Sequence, residues 1–219
     1  MDVGTDLKNY YAQRAGEYER IYHKAERQED IAALKAILQR RLAKHSVLEV
    51  ACGTGFWTEA IAQTARSILA TDINEAVLEI ARNKSYSEEK VEFLRADALT
   101  LEGISNQFTA AFAGFWLSHL PKSELKAFLH KLHRKLSPNG LVVLADNRYV
   151  EGSSTRVCRT DEAGNTYQFR QLADGTQYEV MKNFLAEDDF KTILPDIAKN
   201  IELTELTYFW CLSYKPIVF

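Results

Sequence analysis

Three carboxylates, Glu49, Asp72 and Asp97, each stand near or just past the end of a short apolar run. The first leads into a glycine turn, Ala51-Cys52-Gly53-Thr54-Gly55. Glycine lacks the Cβ that blocks close approach of a ligand to the backbone, and it takes positive φ without penalty. A carboxylate after a second strand is well placed to accept hydrogen bonds from ribose hydroxyls. Taken singly, each acid reads equally well as a local cap of the following helix. Taken together with the turn, they read as a cofactor site. Thr58 stands where the dinucleotide fingerprint Gly-x-Gly-x-x-Gly needs its third glycine for close packing under a pyrophosphate. That substitution and the nearby Glu49 disfavour an anionic pyrophosphate. They favour a ligand with an ammonium or sulfonium centre. A nucleotide-dependent oxidoreductase predicts the third glycine and has no need of Glu49, so it fits neither feature.

These residues need a scaffold that brings strand ends to one edge. The pattern predicts strands at Ser46–Val50, Ser67–Asp72, Lys90–Arg95, Phe108–Leu117 and Leu141–Asp146. Helices are expected near Trp57–Ala65, Glu75–Lys84 and Lys122–Leu136, with a turn at Pro138-Asn139-Gly140. Strands alternating with helices imply parallel βαβ units, and the continuously apolar run Leu141–Ala145 suits a strand covered on both faces. In such doubly wound sheets, ligands bind outside the carboxyl ends of the strands. Two helices are expected upstream. Asp6–His23 carries a tyrosine stripe, and Glu29–Leu42 has one apolar face. Downstream, Thr166–Leu172 and Gln177–Lys182 read as a hairpin across Ala173-Asp174-Gly175-Thr176. A helix over Ala186–Lys199 is expected to bend or divide at Pro195. Ile201–Tyr208 and Phe209–Phe219 read as two antiparallel final strands with no clear turn between them.

The fold expected is α/β: a doubly wound sheet, mostly parallel with an antiparallel last strand, helices on both faces, plus an inserted β-hairpin. A single domain of 219 residues is predicted. Residues 1–44 form N-terminal helices over the cofactor site and residues 45–147 the cofactor-binding core. Residues 148–185 hold the inserted hairpin, a possible cover for the substrate, and residues 186–219 the last helix and strands. A formal net charge of −3 without a basic block argues against a nucleic-acid partner. Cys52, Cys158 and Cys211 lack metal-ligand spacing, so no metal is expected, and an odd, sparse set suits a reducing compartment. No signal-peptide pattern or membrane-length apolar run occurs. The expectation is a cytoplasmic protein, monomer or homodimer, with no membrane insertion.

The ordered motifs resemble the class I S-adenosylmethionine-dependent methyltransferases, in their small-molecule branch, over roughly Tyr10 to Asn147. The resemblance implies a Rossmann-like sheet, S-adenosylmethionine as cofactor and S-adenosylhomocysteine as product. It assigns Glu49, Ala51, Cys52, Gly53, Thr54 and Gly55 to the cofactor turn, and Asp72 to the ribose hydroxyls. Ile73 would pack on the adenine face, Asp97 and Ala98 would meet the adenine edge, and Phe115 and Trp116 would lie beside the methionine moiety. The segment Tyr10–Tyr18 is similar to one that covers the cofactor in many members. There, Tyr11 and Arg14 are candidates to reach the methionyl carboxylate or close the site.

Methyl transfer is an in-line displacement for which positioning supplies much of the rate, so no conspicuous catalytic group is required. His119 follows the fourth strand near the expected methyl position. It reads either as a base for a hydroxyl or amine, or as a loop anchor through a backbone hydrogen bond. Tyr18, Asn147, Arg148 and Tyr149 are candidates for substrate contact, with solvated loop residues as the plainer reading of the last three. Cys52 reads as packing rather than thiol chemistry. The function expected is methyl transfer to a small-molecule O, N or C acceptor. A methyltransferase acting on protein or RNA, or an inactive cofactor-binding protein, remains open on the same fold. The Asn/Asp-Pro-Pro-aromatic motif of exocyclic-amine methylation is replaced here by Phe115-Trp116-Leu117-Ser118.

Overall fold

The computed structural model describes residues 10, 13–86, 90–105, 107–172 and 174–217. A seven-stranded sheet runs through the middle in the order β3-β2-β1-β4-β5-β10-β9. The strands are β1 (Ser46–Val50), β2 (Ser67–Asp72), β3 (Val91–Arg95), β4 (Phe108–Gly114), β5 (Leu136–Asn147), β9 (Ala198–Glu205) and β10 (Phe209–Pro216). β1 to β5 pair in parallel, and β10 is antiparallel to both β5 and β9. A separate three-stranded antiparallel sheet is built from β6 (Arg159–Thr160), β7 (Thr166–Gln171) and β8 (Gln177–Met181).

The helices are α1 (Gln28–Arg41), α2 (Phe56–Ala62), α3 (Glu75–Arg82), α4 (Leu125–His133) and α5 (Glu187–Ile193). Side chains alternate across a strand, so each central strand feeds two cores. Leu48, Ala111, Val142 and Leu212 pack with Phe128 and Leu129 of α4 and Phe190 of α5. Val47, Ala110, Val143 and Cys211 pack with Leu34 and Leu38 of α1 and Trp57 and Ile61 of α2. Helices therefore cover both faces, as expected. Strand order reverses between β1 and β4, which makes their carboxyl ends the natural ligand crevice.

Several boundaries differ from the sequence reading. Ala15–His23 is a 3₁₀ stretch rather than an α-helix. Gly16 weakens the helix there, and tertiary anchors hold Glu19 and Tyr22. The expected turn Pro138-Asn139-Gly140 lies inside β5 as a register shift between Phe108 and Ala110 of β4. Asn139 takes φ 63° to absorb it. The Lys122–Leu136 helix opens as a 3₁₀ turn at Lys122–Glu124 and closes at His133. The Ala186–Lys199 helix ends at Ile193, because Pro195 has no amide to donate and its ring crowds the preceding turn, and β9 then begins at Ala198. The hidden turn between β9 and β10 centres on Leu206–Tyr208. The Leu206 amide donates to the Phe209 carbonyl, and Asp30 of α1 accepts from the Tyr208 amide at 2.6 Å. The hairpin carries a third strand, β6, whose two residues are too short to show alternation. Ala173 in its turn lies outside the described residues.

Candidate active site

Leaving β1, the chain turns through left-handed conformations at Ala51 (φ 55°), Gly53 (56°) and Gly55 (79°). A non-glycine residue held there stores strain of the kind found at functional sites. A Cβ on Gly55 would lie 2.5 Å from the Tyr86 hydroxyl and 3.2 Å from the Ala81 Cβ of α3. Asp72 ties this turn to the end of β2: its carboxylate accepts from the Gly53 amide at 3.0 Å and the Asn74 amide at 2.9 Å. Burial nevertheless raises its pKa. Asp97 sits two residues past Arg95, the partner of Asp72 in the β2–β3 register, and accepts from the Leu99 amide at 2.8 Å. Ile73 is half-buried and Ala98 buried beside these acids.

Glu49 is 2% exposed, and its Oε2 has no hydrogen-bond partner among the described residues. Burial pushes its pKa up to about 8. The Thr54 hydroxyl donates to Glu19 at 2.7 Å, and Lys84 also reaches Glu19, so the N-terminal segment is latched onto the turn. Cys52 is buried with its thiol pKa pushed well up, first by burial and then by Glu49 and Asp72, which keeps it un-ionised.

The other half of the edge begins at Phe115, also left-handed at φ 59°, whose amide donates to the Ala145 carbonyl of β5. Its ring stacks on Trp57 at 5.3 Å, and the Trp57 indole donates to the Tyr22 hydroxyl. Trp116 turns its ring toward Phe128. His119 is buried, and its Nδ1 bonds the Met181 carbonyl at 2.7 Å. A carbonyl only accepts, so Nδ1 carries the proton. Burial first, and Lys182 next, lower the ring's pKa to about 3, so it is neutral at pH 7. Lys182 donates to Asp146 at 2.7 Å and to Ser118 at 2.6 Å, both buried. Burial pushes the Asp146 carboxyl up, but Lys182 and the Asn147 amide, with a smaller part from His119, together bring the net shift downward.

A cavity of about 220 Å³ opens here, between the carboxyl ends of β4 and β5, the N-terminal segment and the small sheet. Phe115, His119 and Asn147 face it from the strand ends, and Arg14, Lys24 and Arg27 from the N-terminal segment. Gln168 and Arg170 of β7, then Lys182 and Phe184, close the far side. None of its fourteen lining residues is acidic.

Residues 47–140 match a family model described as a methyltransferase domain. That segment carries the glycine turn, Asp72 and Asp97. It is 33% identical over 99 residues to the demethylmenaquinone methyltransferase of Staphylococcus epidermidis, covering 44% of this chain and 40% of that protein. The chain thus spans well under half the length of the curated relatives it matches. The whole chain superposes on the DhpI-SAM-HEP complex with a TM-score of 0.79, at 24% identity and 98% coverage of each. Magnesium protoporphyrin IX methyltransferase of Synechocystis with bound SAM gives 0.64, at 17% identity, covering 98% of this chain and 97% of that one. These likenesses establish the fold.

In this chain, the turn residues 49–55, Asp72 and Asp97 gather on one side of the strand-order reversal. Phe115, His119, Asn147 and Arg14 gather at the cavity on the other. Arg148 and Tyr149 are not brought to the cavity. Arg148 donates to the Leu206 carbonyl and pairs with Glu205. Tyr149 is 39% exposed, its hydroxyl on Glu151 and its ring edge-on to Phe184. Tyr11 and the side chain of Tyr18 lie outside what the structure describes. Sequence reasoning missed Lys24, Arg27, Arg170 and Lys182. They come from segments up to 158 residues apart in the chain, counted from Lys24 to Lys182, and no spacing motif links them. No helix among the described residues is long and apolar enough to cross a membrane, and none of their side chains forms a metal-holding cluster.

Proposed function

We propose that the protein transfers a methyl group from S-adenosylmethionine to a small-molecule O, N or C acceptor. The observation that carries this is Glu49: a buried carboxyl with an unpartnered oxygen, beside a turn of left-handed residues at a strand-order reversal. A buried carboxyl with spare acceptor capacity, protonated at neutral pH while the site is empty, can give up its proton and pair with a cationic group that enters beside it. S-adenosylmethionine supplies, when bound, a methyl group on a sulfonium centre.

In this reading the turn 51–55 and Glu49 hold the amino-acid end, Asp72 takes the ribose hydroxyls, and Asp97, Ala98 and Ile73 frame the adenine. Phe115 and Trp116 wall the methionine side. Phe115 is fixed by its stack on Trp57, and that stack excludes water from the β4 end. Arg14 reaches in from the N-terminal segment, and Asn147 faces the acceptor. His119 is a positioning residue, because a group with a pKa near 3 is a weak base at neutral pH. For His119→Ala the expected result is a raised acceptor KM with an unchanged pH profile of kcat. Loss of a pH-dependent limb would assign it as the base instead.

The decisive experiment compares thermal stabilisation by S-adenosylmethionine, S-adenosylhomocysteine and NAD(P). A ligand at 100 times its Kd adds about 2.7 kcal/mol. A shift with both adenosyl compounds and none with NAD(P) is expected. No shift with either adenosyl compound overturns the proposal.

A further inference from the structure

The cavity at the β4–β5 edge gathers Lys24, Arg27 and Arg170, none of which is ion-paired with a carboxylate among the described residues. Arg27 is only 8% exposed, yet no carboxylate lies within ion-pair distance of it among the described residues. Its guanidinium is held by neutral groups instead. Nε and Nη2 donate to the Ser153 hydroxyl at 3.1 and 2.9 Å, and Nη2 also to the Ser153 carbonyl at 3.1 Å. The rings of Tyr208 and Phe209 lie 5.3 and 6.0 Å from its central carbon. Lys24 donates to the same Ser153 carbonyl at 2.6 Å, so two cations converge on one neutral oxygen. Arg170, across the cavity on β7, donates through Nη2 to Gln168, while its buried Nε has no partner among the described residues.

The contrast with Lys182 is instructive. Lys182 is as buried as Arg27, but Asp146 neutralises it directly. Of the acids near Arg27, Glu26 is exposed and accepts from the Ser153 hydroxyl, while Asp30 is taken up by the Tyr208 amide. Burying a cation without a counter-ion is costly. Arg27 bears that cost, and with the half-buried Arg170 and the exposed Lys24 lining the same cavity the arrangement implies that a ligand completes it. A neutral apolar acceptor would desolvate all three and pair none.

Building on the methyltransferase reading, we propose that the acceptor carries an oxyanion, a carboxylate or phosphoryl group, seated between Arg27, Arg170 and Lys24. The planar fork of arginine matches either group with paired hydrogen bonds. The volume of about 220 Å³ lies below the range of roughly 300–1,000 Å³ typical of drug-sized ligands. The acceptor is therefore small, with room for a short carbon skeleton against Ile21 and Phe184.

The test is calorimetric and uses the whole protein. Binding of S-adenosylhomocysteine is measured first. Inorganic phosphate and acetate are then titrated at constant ionic strength, with and without it. Saturable binding of at least one anion is expected, and the tighter of the two assigns the phosphoryl or carboxylate class. Arg170→Gln should weaken that binding about tenfold or more, as expected for a lost charge-assisted hydrogen bond, with adenosylhomocysteine affinity held within about twofold. Arg27→Lys keeps the charge but loses the fork, and is the second variant should Arg170→Gln fail to fold. It should weaken the anion severalfold. Absence of binding by either anion overturns the inference, as does full anion affinity in a folded Arg170→Gln or Arg27→Lys protein. Failure of adenosylhomocysteine alone overturns the methyltransferase reading and leaves the anion result to stand by itself.

Discussion

The two sides of the strand-order reversal are built in opposite ways. The β1–β3 side is acidic and largely made of backbone: Glu49, Asp72 and Asp97 around a turn whose amides and left-handed residues shape the surface. The β4–β5 side is basic and made of long side chains that meet from the N-terminal segment, the small sheet and the strand ends. On the reading proposed above, the acidic side takes the cationic donor and the basic side an anionic acceptor. The difference teaches that one edge can carry carboxyls on a local turn and cations gathered from distant segments side by side.

The comparison can be broken most forcefully at Lys182. Lys182→Met leaves Asp146 buried and unpaired, which should cost about 3–5 kcal/mol in urea unfolding. Adding Asp146→Leu should restore part of the loss. A single variant as stable as the parent would mean that this pair does not hold the basic side.

Glu49→Gln probes the acidic side. The carboxyl's pKa rises from its ordinary 4.5 to about 8 on folding, so the folded state binds the extra proton. That contribution is fully present below about pH 4.5 and is lost as pH rises through 8. The loss is on the order of a few kcal/mol. Unfolding free energies at pH 6 and pH 9 should diverge in the parent and converge in Glu49→Gln. Gly55→Ala forces a Cβ onto Tyr86 at a φ that disfavours it, and should cost about 1–3 kcal/mol in the same assay. Ser153→Ala, on the basic side, removes two of the bonds holding Arg27 and should cost roughly 1–2 kcal/mol by thermal unfolding. The smallest effect is expected at Tyr149→Ala. An exposed side chain off the cavity should change stability by less than about 0.5 kcal/mol and leave cofactor affinity alone.

Legibility followed the range of the interactions. The turn at 51–55 was readable because a strand, an acid and two glycines are neighbours in the chain, and Asp72 and Asp97 recur at successive strand ends. The 3₁₀ character of Ala15–His23 was not readable. It follows from Glu19 meeting Thr54 and Tyr22 meeting Trp57, contacts made 35 residues away in each case. The turn at Leu206–Tyr208 lacks glycine, proline, asparagine and aspartate, and its Asp30 anchor is 178 residues distant.

The sequence by itself determined the parallel sheet, the glycine turn after its first strand and the acids at successive strand ends, because hydrophobic period and local turn chemistry act over a few residues. Only the tertiary structure decided that Arg27, Arg170 and Lys24 share one cavity and that Lys182 is spent on Asp146. Charges scattered among helices, loops and strands acquire meaning only through burial and distance, and neither is written in their spacing.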